Sequence, residues 1–181
     1  MEFIKTKFKD AWLIKPQVFQ DNRGFFLETY SRKKFSETGI EANFVQDNHS
    51  LSVKKGVLRG LHFQAPPFAQ AKLLRMTKGS VYDAIIDIRK DSSTFGKWEG
   101  FTLSAENFSM LFVPKGFLHG FMTLEDNTEF QYKCDNFYEP RSEGGIIWND
   151  PTLNIDWPIK DPILSERDVK WGKFEDFNSP F

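Results

Sequence analysis

The chain has 181 residues, with 24 Lys plus Arg against 25 Asp plus Glu and a formal net charge of -1. That length suits one domain with a sizeable core, burying about 70% of the surface its unfolded form would expose. The near-balanced charge excludes a general field for nucleic acid or an anionic membrane, while leaving room for a local basic pocket.

No stretch approaches the roughly 20 apolar residues of a membrane span, and the first seven residues lack the apolar run of a signal peptide. A single cysteine, Cys134, precludes an internal disulfide and fits a reducing compartment. A cytoplasmic protein with no nucleic-acid or membrane partner is therefore expected. Twenty phenylalanines and five tryptophans are explained first by strands rich in large flat side chains, and only second by a floor for a base or sugar.

In chain order, the first regular element expected is a helix over Ser31–Thr38, with Ser31 as its cap, Phe35 facing inward and Gly39 as its stop. Short alternating runs between Gly, Pro and Asn/Asp clusters then predict strands at 57–63, 71–76, 81–88, 101–103, 110–113, 119–124 and 129–133. In the third of these Tyr82, Ala84, Ile86 and Ile88 form an apolar face, with Asp83, Asp87 and Arg89 on the other. From about residue 140, Pro140, Gly144, Gly145, Pro151, Pro158 and Pro162 prevent long elements. No linker or repeat interrupts the chain. An all-β sandwich or jelly roll with a few short helices follows, as one domain over residues 1–181.

Two stretches carry the chemistry. The first runs from Gly56 through His62 and Gln64 to Lys72 and Gly79, and the second is Pro114-Lys-Gly116-Phe-Leu-His119. Together they resemble the paired motifs of the cupin jelly roll (double-stranded β-helix), in which two histidines, a glutamate and a third histidine hold a metal. Here Gln64 stands where the second histidine would be and Lys72 where the glutamate would be. A protonated lysine has no lone pair and repels a cation, so no metal is expected. A base and a fixed positive charge in a β-barrel pocket suit enolate chemistry instead. Inverting a carbon beside a carbonyl needs a base of pKa near working pH, a cation or donor for the oxyanion, and an acid on the opposite face. His62, Lys72 and Tyr132 supply those groups.

Five segments in order narrow the resemblance: Asp21–Glu28, Phe44–Ser50, Val57–Gln64, Pro114–Gly120 and Tyr132–Cys134. They are similar to the dTDP-4-dehydrorhamnose 3,5-epimerase family over nearly the whole chain. The resemblance implies a metal- and cofactor-free isomerase acting on C3 and C5 of a nucleotide-linked 4-keto-6-deoxy hexose. It implies His62 as base, Asp168 as the carboxylate that orients it, Lys72 with His119 at the enolate, and Tyr132 as acid. Arg59, Gln46, Asn48 and Glu143 would bind the nucleotide sugar. Arg23, Phe26 and Glu28 would contact the nucleotide partly across the interface of a homodimer, to which the N-terminal segment contributes. One departure is Ser165-Glu-Arg167-Asp168, where the family usually has lysine before the aspartate. Arginine keeps the charge of that substrate contact but changes its fork geometry.

Blander readings exist for each residue. A strand histidine is more often structural than catalytic, a lysine more often solvent-facing, and a tyrosine more often a core residue with a satisfied hydroxyl. Cys134 reads as a small buried hydrophobe, and His49 as a surface or substrate-loop residue. The alternatives of function are a C3-only or C5-only epimerase, an enzyme for a GDP-linked 4-keto sugar such as a heptose, a metal-dependent cupin, and a non-catalytic sugar-binding cupin.

Overall fold

The computed structural model of the chain describes every residue from Met1 to Phe181. Two sheets face each other. The six-stranded sheet has the spatial order β1 (Glu2–Lys5), β2 (Trp12–Lys15), β10 (Met110–Val113), β7 (Lys72–Lys78), β12 (Thr128–Cys134) and β5 (Gln46–Ser52). The five-stranded sheet has the order β13 (Glu143–Gly145), β6 (Leu58–Gln64), β11 (Phe117–Thr123), β8 (Ser80–Asp87) and β9 (Trp98–Ser104). A separate hairpin pairs β3 (Val18–Asp21) with β4 (Gly24–Leu27). The strand pairings within the sheets are antiparallel. No helix is long and apolar enough to cross a membrane.

Side-chain alternation divides each sheet between two cores. Leu74, Met76 and Phe130 of the six-stranded sheet meet Val81, Ile85 and Phe121 of the other to form the core between them. On the outer face of the five-stranded sheet, Leu58, Leu61, Ala84, Ile86 and Leu118 pack beneath Ile146, Leu153 and Trp157 from the segment after β13. Covering both faces explains why β11 is buried at every position and β8 at all but one. Asp83 and Asp87 do lie opposite the apolar face of β8, but that second face is buried too. On the outer face of the six-stranded sheet, Ile14, Leu73 and Phe112 pack against Phe35 and Ile40.

All seven expected strands are present, 110–113 with the bounds expected and the other six with ends displaced; the largest change extends 101–103 to Trp98–Ser104. Strands β1 to β5 and β13 are additions to that reading. The helix is shorter than expected, α1 at Arg32–Ser36, and the Ser31 side chain makes no capping hydrogen bond. One turn of helix is held instead by Phe35, buried beneath Phe3 and Tyr30, and ends at Gly39 with φ of +83°. After residue 140 the chain carries β13, the 3₁₀ turns Pro140–Ser142 and Phe174–Asp176, and two parallel bridges.

Candidate active site

A cavity of about 560 Å³ opens between the two sheets, lined from both sides. On the six-stranded sheet, β12 pairs Tyr132 with Asn48 and Cys134 with Gln46 of β5, and Cys134 with Lys72 of β7. The period of two then places Lys72, Tyr132, Asn48 and Gln46 on one inward face. Gln46 Nε2 donates to Asn48 Oδ1 at 3.1 Å, and Gln46 Oε1 accepts from the backbone N–H of Tyr138 at 3.1 Å. These bonds fix the amide pair against the loop after β12.

Arg59, His62 and His119 enter from the five-stranded sheet. Residues three apart on a regular strand point to opposite faces, yet Arg59 and His62 line the same cavity. The cause is a bulge: β11 passes from the His119↔His62 pair to the Phe121↔Arg59 pair in two residues, and β6 takes three. Gly60 makes it possible. Its φ is +125°, and a Cβ there would lie 2.5 Å from the Gly120 Cα and 2.8 Å from the His119 carbonyl oxygen. Both are backbone atoms that cannot step aside.

The electrostatics follow from burial. Burial, and next the positive charge of Lys72, holds His62 well below the ordinary histidine value of 6.5, so its imidazole is in the neutral, proton-accepting form at neutral pH. Burial pulls the Lys72 ammonium down. It sits 5.9 Å from the centre of the Tyr132 ring and forms no ion pair within the chain. Burial pushes the Tyr132 hydroxyl up, keeping its proton. A neutral base, an unpartnered cation and a protonated phenol thus share one pocket. Phe121 and Phe130, stacked at 4.2 Å and 6°, give it an apolar floor.

Of the residues singled out from the sequence, His62, Lys72, Tyr132, Asp168, Gln46, Asn48, Arg59, His119, Glu143 and Arg167 all line this cavity. The expected bond from Asp168 to His62 is not formed. Asp168 Oδ2 accepts from Ser165 Oγ at 2.7 Å, and its Oδ1 is buried with no partner. Arg167 donates to Glu143 Oε2 at 2.6 Å at the cavity wall. Arg23, Phe26 and Glu28 lie elsewhere, on or beside the exposed β3–β4 hairpin. Arg23 pairs with Asp21, and Glu28 with Lys34. Cys134 is buried, with its thiol pushed up to about 11 chiefly by burial. His49 is on β5, facing away from the cavity and 3.1 Å from Glu129.

Sequence reasoning passed over Ser50, Tyr138 and Ser165, which also line the cavity. Alternation with Gln46 and Asn48 was a signal for Ser50; Tyr138 stands in a loop with no pattern to mark it. Gln64 holds the cavity rim together. Its Nε2 donates to the carbonyls of Phe68 and Phe137, and its Oε1 accepts from Glu139 N–H. Two rim loops are tied to β6 by this one amide.

The family model for dTDP-4-dehydrorhamnose 3,5-epimerase matches residues 5–176. The chain belongs to that family. It is 52% identical over 177 residues to the dTDP-4-dehydrorhamnose 3,5-epimerase of Shigella flexneri, covering 97% of each chain. The crystal structure of the Elizabethkingia anophelis enzyme of that name superposes with a TM-score of 0.94 at 50% identity, covering 99% of both chains. A dTDP-6-deoxy-D-glucose-3,5-epimerase from Legionella pneumophila, solved in complex with dTDP-4-keto-L-rhamnose, superposes with a TM-score of 0.93 at 42% identity, covering 98% of this chain and 94% of that one. The two-sheet sandwich is therefore the cupin-type jelly roll of these epimerases, and the chain is an isomerase of nucleotide sugars.

Proposed function

We propose that the chain inverts C3 and C5 of dTDP-4-dehydro-6-deoxyglucose, with His62 as base and Tyr132 as acid. The observation that carries this reading is that His62 and Tyr132 enter one cavity from opposite sheets, with the Lys72 ammonium beside them. Opposed groups are what inversion needs: one takes the proton beside the keto group, and the other returns it on the opposite face. Lys72 supplies the charge for the enolate oxygen between those steps. Asp168, whose Oδ1 has no partner within the chain, is the carboxylate that orients the His62 ring. Arg59 and Arg167 take the pyrophosphate, with Gln46, Asn48 and Glu143 on the polar groups of the sugar nucleotide. The complex of the Legionella relative with dTDP-4-keto-L-rhamnose supports this choice of substrate.

Replacing Tyr132 with Phe tests the division of labour. The variant keeps the ring and its packing on Phe130 and loses only the hydroxyl. Solvent exchange should persist at one carbon while inversion of the other is blocked. Equal loss at both carbons, measured by proton NMR, would give the tyrosine a different role.

The reading includes a homodimer. Phe19, Phe25 and Phe26 on the β3–β4 hairpin are 55%, 60% and 70% exposed, more aromatic surface than a lone hairpin can hold in water. In the dimer Arg23 and Glu28, outside their own cavity, exchange their exposed ion pairs with Asp21 and Lys34 for contacts in the partner's. Light scattering at micromolar concentration should give twice the 21.1 kDa of one chain; a single-chain mass would remove this part. A free buried thiol suits a reducing compartment, and the proposal places the enzyme in the cytoplasm.

A further inference from the structure

Two carboxylates of β8 are completely buried, and their surroundings differ sharply. Asp87 is fully satisfied: Arg89, Ser92 and Thr94 side chains and the Arg89 backbone N–H all donate to it. Asp83 has one partner. Its Oδ2 is 2.8 Å from Nε2 of His119, and its Oδ1 is buried with no partner at all. It points into the core between the sheets, on the same face of β8 as Val81 and Ile85. It is not among the residues that line the cavity, whereas His119 is.

A lone carboxylate in such a place is costly unless its charge is answered. Burial pushes the Asp83 carboxyl up, and the groups that oppose that shift are His119, in contact, and Lys72, through space. His119 sits diagonally across from it, since β11 pairs His119 with Ile85 and Phe121 with Asp83. The ring is flanked by Phe121 and Phe130, which leave it no second carboxylate. With Nε2 committed to Asp83, any contact the ring makes with a substrate runs through Nδ1.

We propose that Asp83 is a positioning residue for the epimerisation, holding His119 as an imidazolium whose Nδ1–H is a second donor, beside Lys72, for the enolate oxygen. No proton is transferred. The carboxylate fixes the ring's orientation and charge before substrate arrives, so the donor needs no rearrangement as negative charge develops. A buried carboxylate hydrogen-bonded to an imidazole fixes the ring's orientation and stabilises its charged form. This inference rests on the epimerase reading of the cavity, but its first test does not.

The chain has three histidines, so the full-length protein labelled with ¹⁵N-histidine gives a spectrum simple enough to assign, using a His119→Gln sample to identify that ring. At pH 7.5 the His119 ring should carry protons on both nitrogens. A neutral ring, in either tautomer, would overturn the proposal, and this holds even if no Asp83 variant folds. Asp83→Asn, which keeps the shape and removes the charge, should lower kcat about 100-fold, the scale of one oxyanion donor, with KM within about threefold. The Asp83→Asn, His119→Gln double variant should be no slower than His119→Gln alone; additive losses would mean that Asp83 does not act through His119. If the unaltered protein exchanges no substrate proton, the epimerase reading fails while the ring spectrum still decides the state of the pair.

Discussion

The His62→Ala protein should exchange solvent hydrogen at C3 and C5 roughly 10²–10⁴-fold more slowly than the unaltered chain, the usual contribution of a positioned general base. Both carbons should suffer, because one base beside one keto group serves both abstractions. The fold should survive. His62 is half-buried at a cavity wall, and removing its ring enlarges an existing space without opening a hole in the packed core. The pH dependence is a companion result. His62 lies well below its ordinary 6.5 because of burial and then the charge of Lys72. The base form therefore persists as pH falls, and kcat/KM should stay level from pH 8 through 6.5 before declining. A half-maximal rate at or above 6.5 would contradict that environment. Near-normal turnover by His62→Ala would remove the base assignment altogether.

Lys72→Met should lower kcat by roughly 10²–10³-fold, the cost of losing one donor to a developing oxyanion. Methionine keeps the length and apolar stem of the side chain and removes its charge. The blander account of this lysine, a solvent-facing strand residue, predicts almost no effect. A second consequence has a definite sign. The Lys72 charge helps to lower His62, so its removal lets the base titrate at higher pH, and the acid limb of the variant's rate profile should move upward. An unchanged limb together with unchanged kcat would place the lysine outside the chemistry.

Much of this site was legible through the two motif stretches around His62 to Lys72 and Pro114 to His119 and through the resemblance of five segments, not through strand period. The strands that went unread show where the period misleads. β5 alternates regularly, but the face it turns inward is Gln46, Asn48 and Ser50. A strand that lines a polar cavity has no apolar face to betray it. In β8 and β11 both faces are buried, one by the opposite sheet and one by the segment after residue 145. The carboxylate of Asp83 therefore looked like an ordinary polar alternation and is in fact a core residue. The bulge at Gly60 could not be counted from spacing, since a strict period of two puts Arg59 and His62 on opposite faces. Ser31 failed as a cap because five residues of helix are held by the burial of Phe35, and capping adds little to so short a turn. The Asp168–His62 bond was expected from resemblance, yet the carboxylate has turned to Ser165.

Proton NMR of the unaltered protein with dTDP-4-keto-6-deoxyglucose in deuterated water tests proton abstraction beside the keto group most directly. The account predicts that the H3 and H5 signals both disappear, at rates that order the two inversions. Persistence of both signals, in protein shown to be folded and to bind the nucleotide, would contradict it.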